Sequence, residues 1–242
     1  DIETNIIRRK SLDALFAIIG LLAMWVGLAT LIALLIDLAL DGAARLSWQF
    51  FTSYPSRFAA QAGILSAWVG TTLVMLATAA TAVPLGVAAG IYLEEYAPKN
   101  WLTELIEINI ANLAGVPSIV YGLMALGLFV YQFHLGQSIL TAGLTLALLI
   151  LPVVIVATRE AIPAVPASIR EASYALGATK WQTVKAHVLP YSTGGILTGI
   201  IIALSRAIGE TAPLITIGAL TFIAFLPSPP LKSEFPFISF EW

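Results

Sequence analysis

Apolar positions in this chain merge into long runs separated by short polar connections. A helix needs about 20 mostly apolar residues to cross a hydrocarbon core of about 30 Å. Five stretches reach that length: Leu12 to Leu40, Ser66 to Tyr92, Leu105 to Phe133, Ser138 to Thr158 and Thr193 to Phe225. The pattern predicts an all-α, polytopic membrane protein, with residues 1–242 forming a single transmembrane domain. No internal repeat or low-complexity tract interrupts it. The first stretch follows the basic cluster Arg8, Arg9 and Lys10, but its apolar run is well beyond the ~7–15 residues of a signal core, so it reads as a retained helix.

Charge sets the expected orientation. With the N-terminus inside, Arg8, Arg9, Lys10, Lys99, Arg159, Arg170, Lys180 and Lys185 fall on that side, and Arg45, Arg57 and Lys232 fall on the other. The positive-inside bias therefore predicts a cytoplasmic N-terminus and a cytoplasmic polar loop over residues 159–191. The tail 226–242, with Pro227, Pro229, Pro230 and Pro236, becomes an extracytoplasmic loop. An odd number of spans predicts a sixth helix beyond Trp242, and both ends of the chain read as trimmed.

Composition narrows the function classes. Apolar residues make up 59 % of the chain, charged residues 11 %, and mean hydropathy is +0.91. Soluble domains carry about 25 % charged residues. A net charge of −2 leaves no basic footprint for nucleic acid. The absence of cysteine excludes disulfides, thiolate metal sites and cysteine nucleophiles. Two isolated histidines, His134 and His187, predict no metal site. No phosphate loop of the GxxxxGK[ST] type occurs, so no ATP binding is expected of this chain and no catalytic residue is predicted.

The loop is the most specific feature. It reads Arg170-Glu171-Ala172-Ser173-Tyr174-Ala175-Leu176-Gly177-Ala178-Thr179-Lys180-Trp181 and continues to His187-Val188-Leu189-Pro190. Glu171 to Leu176 is good helix material, and Gly177 suits a left-handed cap. Thr179 can cap a second helix that runs to Leu189 and stops at Pro190. That helix carries Trp181, Val184 and Val188 on one face, with Lys180 and Lys185 beside it. Such a pair fits either a partner's groove or the bilayer surface.

Arg206 and Glu210 stand inside the fifth stretch. Arg206 is 13 residues past Thr193, about 20 Å along a helix at ~1.5 Å per residue. A central charge costs roughly 2.5–3.5 kcal/mol on insertion scales, so such residues face the protein interior or a polar path. Their spacing of four places them on one helix face, as a structural ion pair or as a polar site on a translocation path. A guanidinium suits the oxygens of an oxyanion. In the third stretch, Gly115 and Pro117 predict a mid-membrane break, and Ser118 and Tyr121 offer hydroxyls beside it. A packing kink and a cavity-lining break fit equally.

Lesser signals read as structure. Gly86-x-x-x-Gly90 and Gly195-x-x-x-Gly199 permit close helix contact. Glu94 and Glu95, near Pro98, read as a solvated acidic turn. Trp48, Trp68 and Trp101 read as an interfacial belt. Phe50, Phe51 and Tyr54 in the first outer loop fit either a binding protein or the membrane surface.

Two sets of residues resemble a known family. Glu171, Ala172, Gly177, Leu189 and Pro190 match in type and spacing the EAA loop of ABC-importer permeases, with Ser173 for the second alanine and His187 where isoleucine is usual. Ser205 to Pro213 resembles the Arg-Ala-x-Gly-Glu-Thr signature of phosphate-specific importer permeases, and Leu113 to Gly122 resembles their Gly-[Val/Ile]-Pro-Ser segment. The resemblance covers nearly the whole chain. It favours the A-type over the sister permease, which shares both membrane signatures.

That resemblance implies the type I ABC-importer permease fold and a multi-pass subunit of the bacterial inner membrane that forms half of a translocation path for phosphate. It implies that Glu171, Ala172, Ser173, Gly177, Lys180, Trp181, Leu189 and Pro190 couple to an ATPase. It also implies that Arg206, Glu210, Thr211, Ser118, Tyr121 and Pro117 line the path. Its implied partners are a second homologous permease, two ATPase subunits, a periplasmic phosphate-binding protein and the lipid bilayer; ATP and Mg belong to the ATPase. A permease for molybdate or sulfate, and a phosphate-sensing scaffold, remain open alternatives. A stand-alone secondary carrier predicts inverted repeats, and none is found.

Overall fold

The computed structural model describes residues 2–58 and 61–218. All the regular elements among them are helices. The expected tail loop 226–242 and the sixth helix lie outside the described residues.

Helix α1 spans Ile2–Ala43, and its apolar side chains from Leu12 to Leu40 are exposed, as those of a lipid- or partner-facing span are. A short helix α2, Trp48–Thr52, is capped by Ser47 and sits in a compact connection. The Trp68 indole donates to the Phe51 carbonyl at 3.1 Å there. Helix α3, Leu65–Ile91, continues through a π-helical turn at Tyr92–Tyr96. Helices α4, Trp101–Leu113, and α5, Ser118–Ala125, follow, and α5 continues through a π-helical segment to Gln132. Helix α6 is Ile139–Ala161. The loop holds α7, Ala167–Ala175, and α8, Lys180–Thr183. Helix α9, Leu189–Gly209, precedes a short α10, Ala212–Thr216.

Among the described residues, four helices are long and apolar enough to cross a membrane: Leu12–Ala43, Leu65–Tyr96, Ile139–Ala161 and Lys180–Gly209. The pair Trp101–Leu113 and Ser118–Gln132 makes a fifth when taken as one span bent by 102°. The third predicted stretch is therefore a broken element, and the break falls at the predicted Gly115 and Pro117. Pro117 has no N–H to continue α4, and its fixed φ of −55° starts α5 afresh.

Helix α6 is the hub, buried between α3 and α9 through small residues. A Cβ on Gly86 would lie 2.7 Å from Val154 Cγ1, and one on Gly90 would lie 2.6 Å from Thr158 Cβ. On the other side, a Cβ on Gly195 would lie 2.9 Å from Ala161 Cβ, and one on Gly199 would strike Ala157. Both glycine pairs read from the sequence as packing sites are thus seams against the same helix. The paired residue numbers rise together for α3, which runs parallel to α6, and oppose for α9, which runs antiparallel. In hydrocarbon such contacts rest on close van der Waals packing, which only small residues allow. Gly199→Leu is expected to lower stability by about 1–3 kcal/mol through overpacking. Thermal unfolding in detergent checks it, with Gly194→Ala as control, since a Cβ at Gly194 meets nothing within 4 Å.

The fifth predicted stretch differs at both ends. The helix does not begin anew after Pro190; Lys180 to Gly209 is one continuous helical run. A π-helical turn at Val184–Val188 ends two residues before the proline. Its wider ring relieves the clash between the proline ring and the carbonyl four residues back, which halts an ordinary α-helix. At the other end α9 stops at Gly209, well short of Phe225, and residues beyond Gly218 are outside the described part.

Candidate functional site

Two chain breaks meet near the middle of α6. Tyr121 of α5 and Ala203 and Ala207 of α9 pack in one cluster with Ala147, Leu149 and Ile150 of α6. Arg206 lies three residues after Ala203 and one before Ala207, so it stands level with the centre of a 23-residue span. The two alanines are buried, whereas the Arg206 side chain is 43 % exposed. It points away from this chain's own core.

Glu210 is not on the α9 face expected from the spacing of four. It follows the last helical residue in extended backbone, φ −86° and ψ 114°. Its carboxylate Oε1 still lies 3.6 Å from Arg206 Nε, and its side chain is 21 % exposed. Thr211 beside it is exposed and precedes α10. The other break presents exposed Pro117 and half-buried Ser118 at the start of α5, which has no side-chain cap. An uncapped helix start carries free N–H groups and the positive end of the helix dipole.

Tyr121 does not offer a free hydroxyl. The phenol donates to the Leu113 carbonyl at 2.8 Å and ties α5 back to the end of α4 across the bend. Sequence reasoning missed Gly122. Helix α10 lies against it so closely that a Cβ there would meet the Thr216 hydroxyl and sit 2.8 Å from Pro213 Cα. This contact fixes α10, and with it Glu210 and Thr211, relative to Ser118 and Tyr121. The assembled groups can hold an anion. Among the described residues no cluster of His, Asp or Glu could hold a metal ion.

The 159–191 loop forms a second surface at one end of the bundle. Gly177 takes φ +81°, the left-handed conformation that ends α7. Thr179 and Gln182 form a full capping box for α8. Ser173 is buried, its hydroxyl 2.8 Å from that of Thr183, and this bond joins the two short helices. Val184 and Val188 correct the expected outward apolar face: both are fully buried. Val188 packs with Ile162 and Val165 of this same chain. Helical spacing of Trp181, Val184 and Val188 could not show that the π-helical turn and the start of α9 rotate the valines inward. The side chains left outward are Leu176, 90 % exposed, Trp181, 58 % exposed, and Tyr174, with Glu171, Lys180, Lys185 and His187 also exposed. Ala172 and Pro190 are exposed too, while Leu189 is half-buried.

Residues 82–239, which hold both breaks and the whole loop, match the family described as binding-protein-dependent transport system inner membrane component. The chain belongs to that family. Relatives include the phosphate transport system permease protein PstA of Yersinia pestis, 38 % identical over 212 residues, covering 86 % of this chain and 70 % of the relative. The probable ABC transporter permease protein YqgI of Bacillus subtilis is 37 % identical over 193 residues, covering 80 % of this chain and 66 % of the relative. PstA 1 of Mycobacterium tuberculosis strain H37Rv is 39 % identical over 163 residues, covering 67 % and 52 %. The chain thus spans between about half and about two thirds of the length of these relatives. It is an ABC-importer permease close to PstA.

The permease also carries charge clusters that the sequence reading left unpaired. Glu94 and Glu95 are not a solvated turn; they lie in the π-helical end of α3 and face cations. Arg159 Nη2 is 2.9 Å from Glu107 Oε1 and its Nε is 3.7 Å from Glu94 Oε2. Arg170 Nη2 is 3.0 Å from Glu95 Oε1 and donates to the Ile162 carbonyl at 3.0 Å. An open cavity of about 540 Å³ beside them is lined by Lys99, Trp101, Glu104 and Glu107. It lies at the loop end, beside Arg159, the last-turn residue of α6.

Proposed function

We propose that this chain is a transmembrane subunit of an ATP-driven phosphate importer, forming half of the translocation path. The observation that carries the reading is Arg206. A guanidinium at mid-span, exposed from its own chain, is costly against lipid and requires a polar path or a partner opposite it. Around it stand the uncapped start of α5 and Glu210, and both helix breaks are of the kind that hydrocarbon tolerates only beside a wet cavity or buried in protein. An oxyanion fits the positive groups. The PstA relatives, named for phosphate transport, favour phosphate among oxyanions. Glu210 accepts a proton-bearing oxygen, which monohydrogen phosphate offers and sulfate at neutral pH does not.

The remaining half of the path comes from a second homologous permease. ATP is bound and hydrolysed by two partner subunits, since this chain has no phosphate loop. A periplasmic binding protein delivers substrate. The loop lies on the cytoplasmic face, as the Lys and Arg distribution favours, with the N-terminus on the same side. Its outward Tyr174, Leu176 and Trp181, flanked by Lys180 and Lys185, suit a groove in the ATPase. The test is uptake into proteoliposomes that hold the full set of subunits, with ATP inside. Radiolabelled phosphate is expected to accumulate with ATP and not without it. Equal or greater uptake of sulfate or molybdate overturns the assignment of cargo.

A further inference from the structure

Three consecutive residues in the π-helical end of α3 each engage a cation from a different element. Glu94 pairs with Arg159 of α6 at 3.7 Å. Glu95, whose side chain is only 9 % exposed, pairs with Arg170 of α7 at 3.0 Å. The Tyr96 ring lies 5.1 Å beneath the Lys180 ammonium of α8. Arg159 reaches on to Glu107 of α4 at 2.9 Å. Ile91 of α3 and Ile169 of α7 pack against one small core of Ile162, Val165 and Val188. Successive residues of any helix point in different directions, so a single turn can hold three neighbours only when they converge on its end. A π-helical turn at such a place is itself a common mark of function.

We infer that Tyr92–Tyr96 is the junction through which movement of the α7–α8 pair reaches α3, with Glu95 and Arg170 as its positioning residues. This inference rests on the proposed coupling of the loop to an ATPase. The loop is continuous in sequence with α6 and α9, and Arg170 and Val188 also hold it against the end of α6. The junction adds α3 through Glu95 and Tyr96, and α4 through the Arg159 bridge. Helix α4 leads to the break at Pro117 and Ser118, so displacement of the loop is delivered to both sides of the Arg206 site. Arg170 also holds the Ile162 carbonyl, which fixes its guanidinium against the end of α6.

The experiment measures substrate moved per ATP hydrolysed in proteoliposomes of the complete transporter. Arg170→Glu places two carboxylates face to face and is expected to lower that ratio by about tenfold, within the ordinary range of coupling between sites. Glu95→Arg combined with Arg170→Glu restores the pair in reverse and is expected to recover most of the ratio. A purely structural pair would lower transport and hydrolysis together; an unchanged ratio in Arg170→Glu, or no recovery in the double variant, overturns the inference. A second measurement does not depend on variants that assemble poorly. The chain has no cysteine, so spin labels on Tyr92→Cys and Tyr174→Cys, both exposed positions, report the distance between the end of α3 and α7. That distance is expected to stay constant between nucleotide-free and ATP-bound complexes, because the two move as one body; a change on ATP binding overturns the junction. A complex that carries another oxyanion refutes the cargo and leaves the ratio measurable with that ion, so the two failures are told apart.

Discussion

Replacing Arg206 by glutamine is expected to lower ATP-driven phosphate uptake by roughly 10- to 100-fold while leaving the protein in the membrane. Hydrogen bonds to a charged group contribute about 1.5–3 kcal/mol each, and the loss of one such bond at the point of passage scales the rate accordingly. The side chain is 43 % exposed and packs little, so its removal opens no cavity in the bundle core. Ala203 and Ala207, which do pack, are untouched. The companion variant, Glu210→Gln, is expected to retain uptake better but to lose part of the preference for phosphate over sulfate. The glutamine amide presents a donor as well as an acceptor, and sulfate can use the donor. Competition of labelled phosphate by unlabelled sulfate measures this directly. Full uptake in Arg206→Gln would show that the guanidinium is only a partner of Glu210.

Gly122→Leu is expected to abolish uptake more completely than either charge variant. The space that a side chain would need is filled by α10, with Pro213 Cα at 2.8 Å and its carbonyl at 2.9 Å. These are backbone atoms, so no flexible side-chain tip can yield. Overpacking costs typically about 1–3 kcal/mol, and here it is relieved by displacement of a five-residue helix rather than by loss of the bundle. Glu210 and Thr211 move with that helix and leave the Arg206 site. The expected outcome is a protein with near-normal thermal unfolding in detergent and no measurable uptake. Gly127→Ala, where a Cβ meets nothing within 4 Å, controls for the loss of glycine and is expected to transport normally.

Much of the architecture was legible because hydrocarbon imposes one rule on every span, and run length expresses it. The break at Gly115 and Pro117 was legible for a local reason, since proline removes the donor that a helix needs. The same rule misled at Pro190, where a π-helical turn absorbs the ring and the chain runs on. Local spacing also put Val184 and Val188 on an outward face, because nothing within the segment shows which way the bundle will turn it. Gly122 and the Glu94–Glu95–Tyr96 junction were missed for another reason. Their partners lie far along the chain, and a glycine or a pair of glutamates in isolation looks like ordinary loop or packing material. The exposure of Arg206 likewise follows from which side of α9 the two alanines bury, a tertiary fact.

The unbroken run from Lys180 to Gly209 has a mechanical meaning of its own. Arg206 lies 26 residues from Lys180, so at ~1.5 Å per residue the two are about 39 Å apart on a single rod. A tilt of roughly 5° about the Lys180 end sweeps the guanidinium sideways by about 3 Å, the length of a hydrogen bond. A lever of that length makes a charged contact at its tip or breaks it for a small rotation, and because the same tilt displaces Gly199 by about 2.5 Å, the close seam to Ala157 requires α6 to tilt with it.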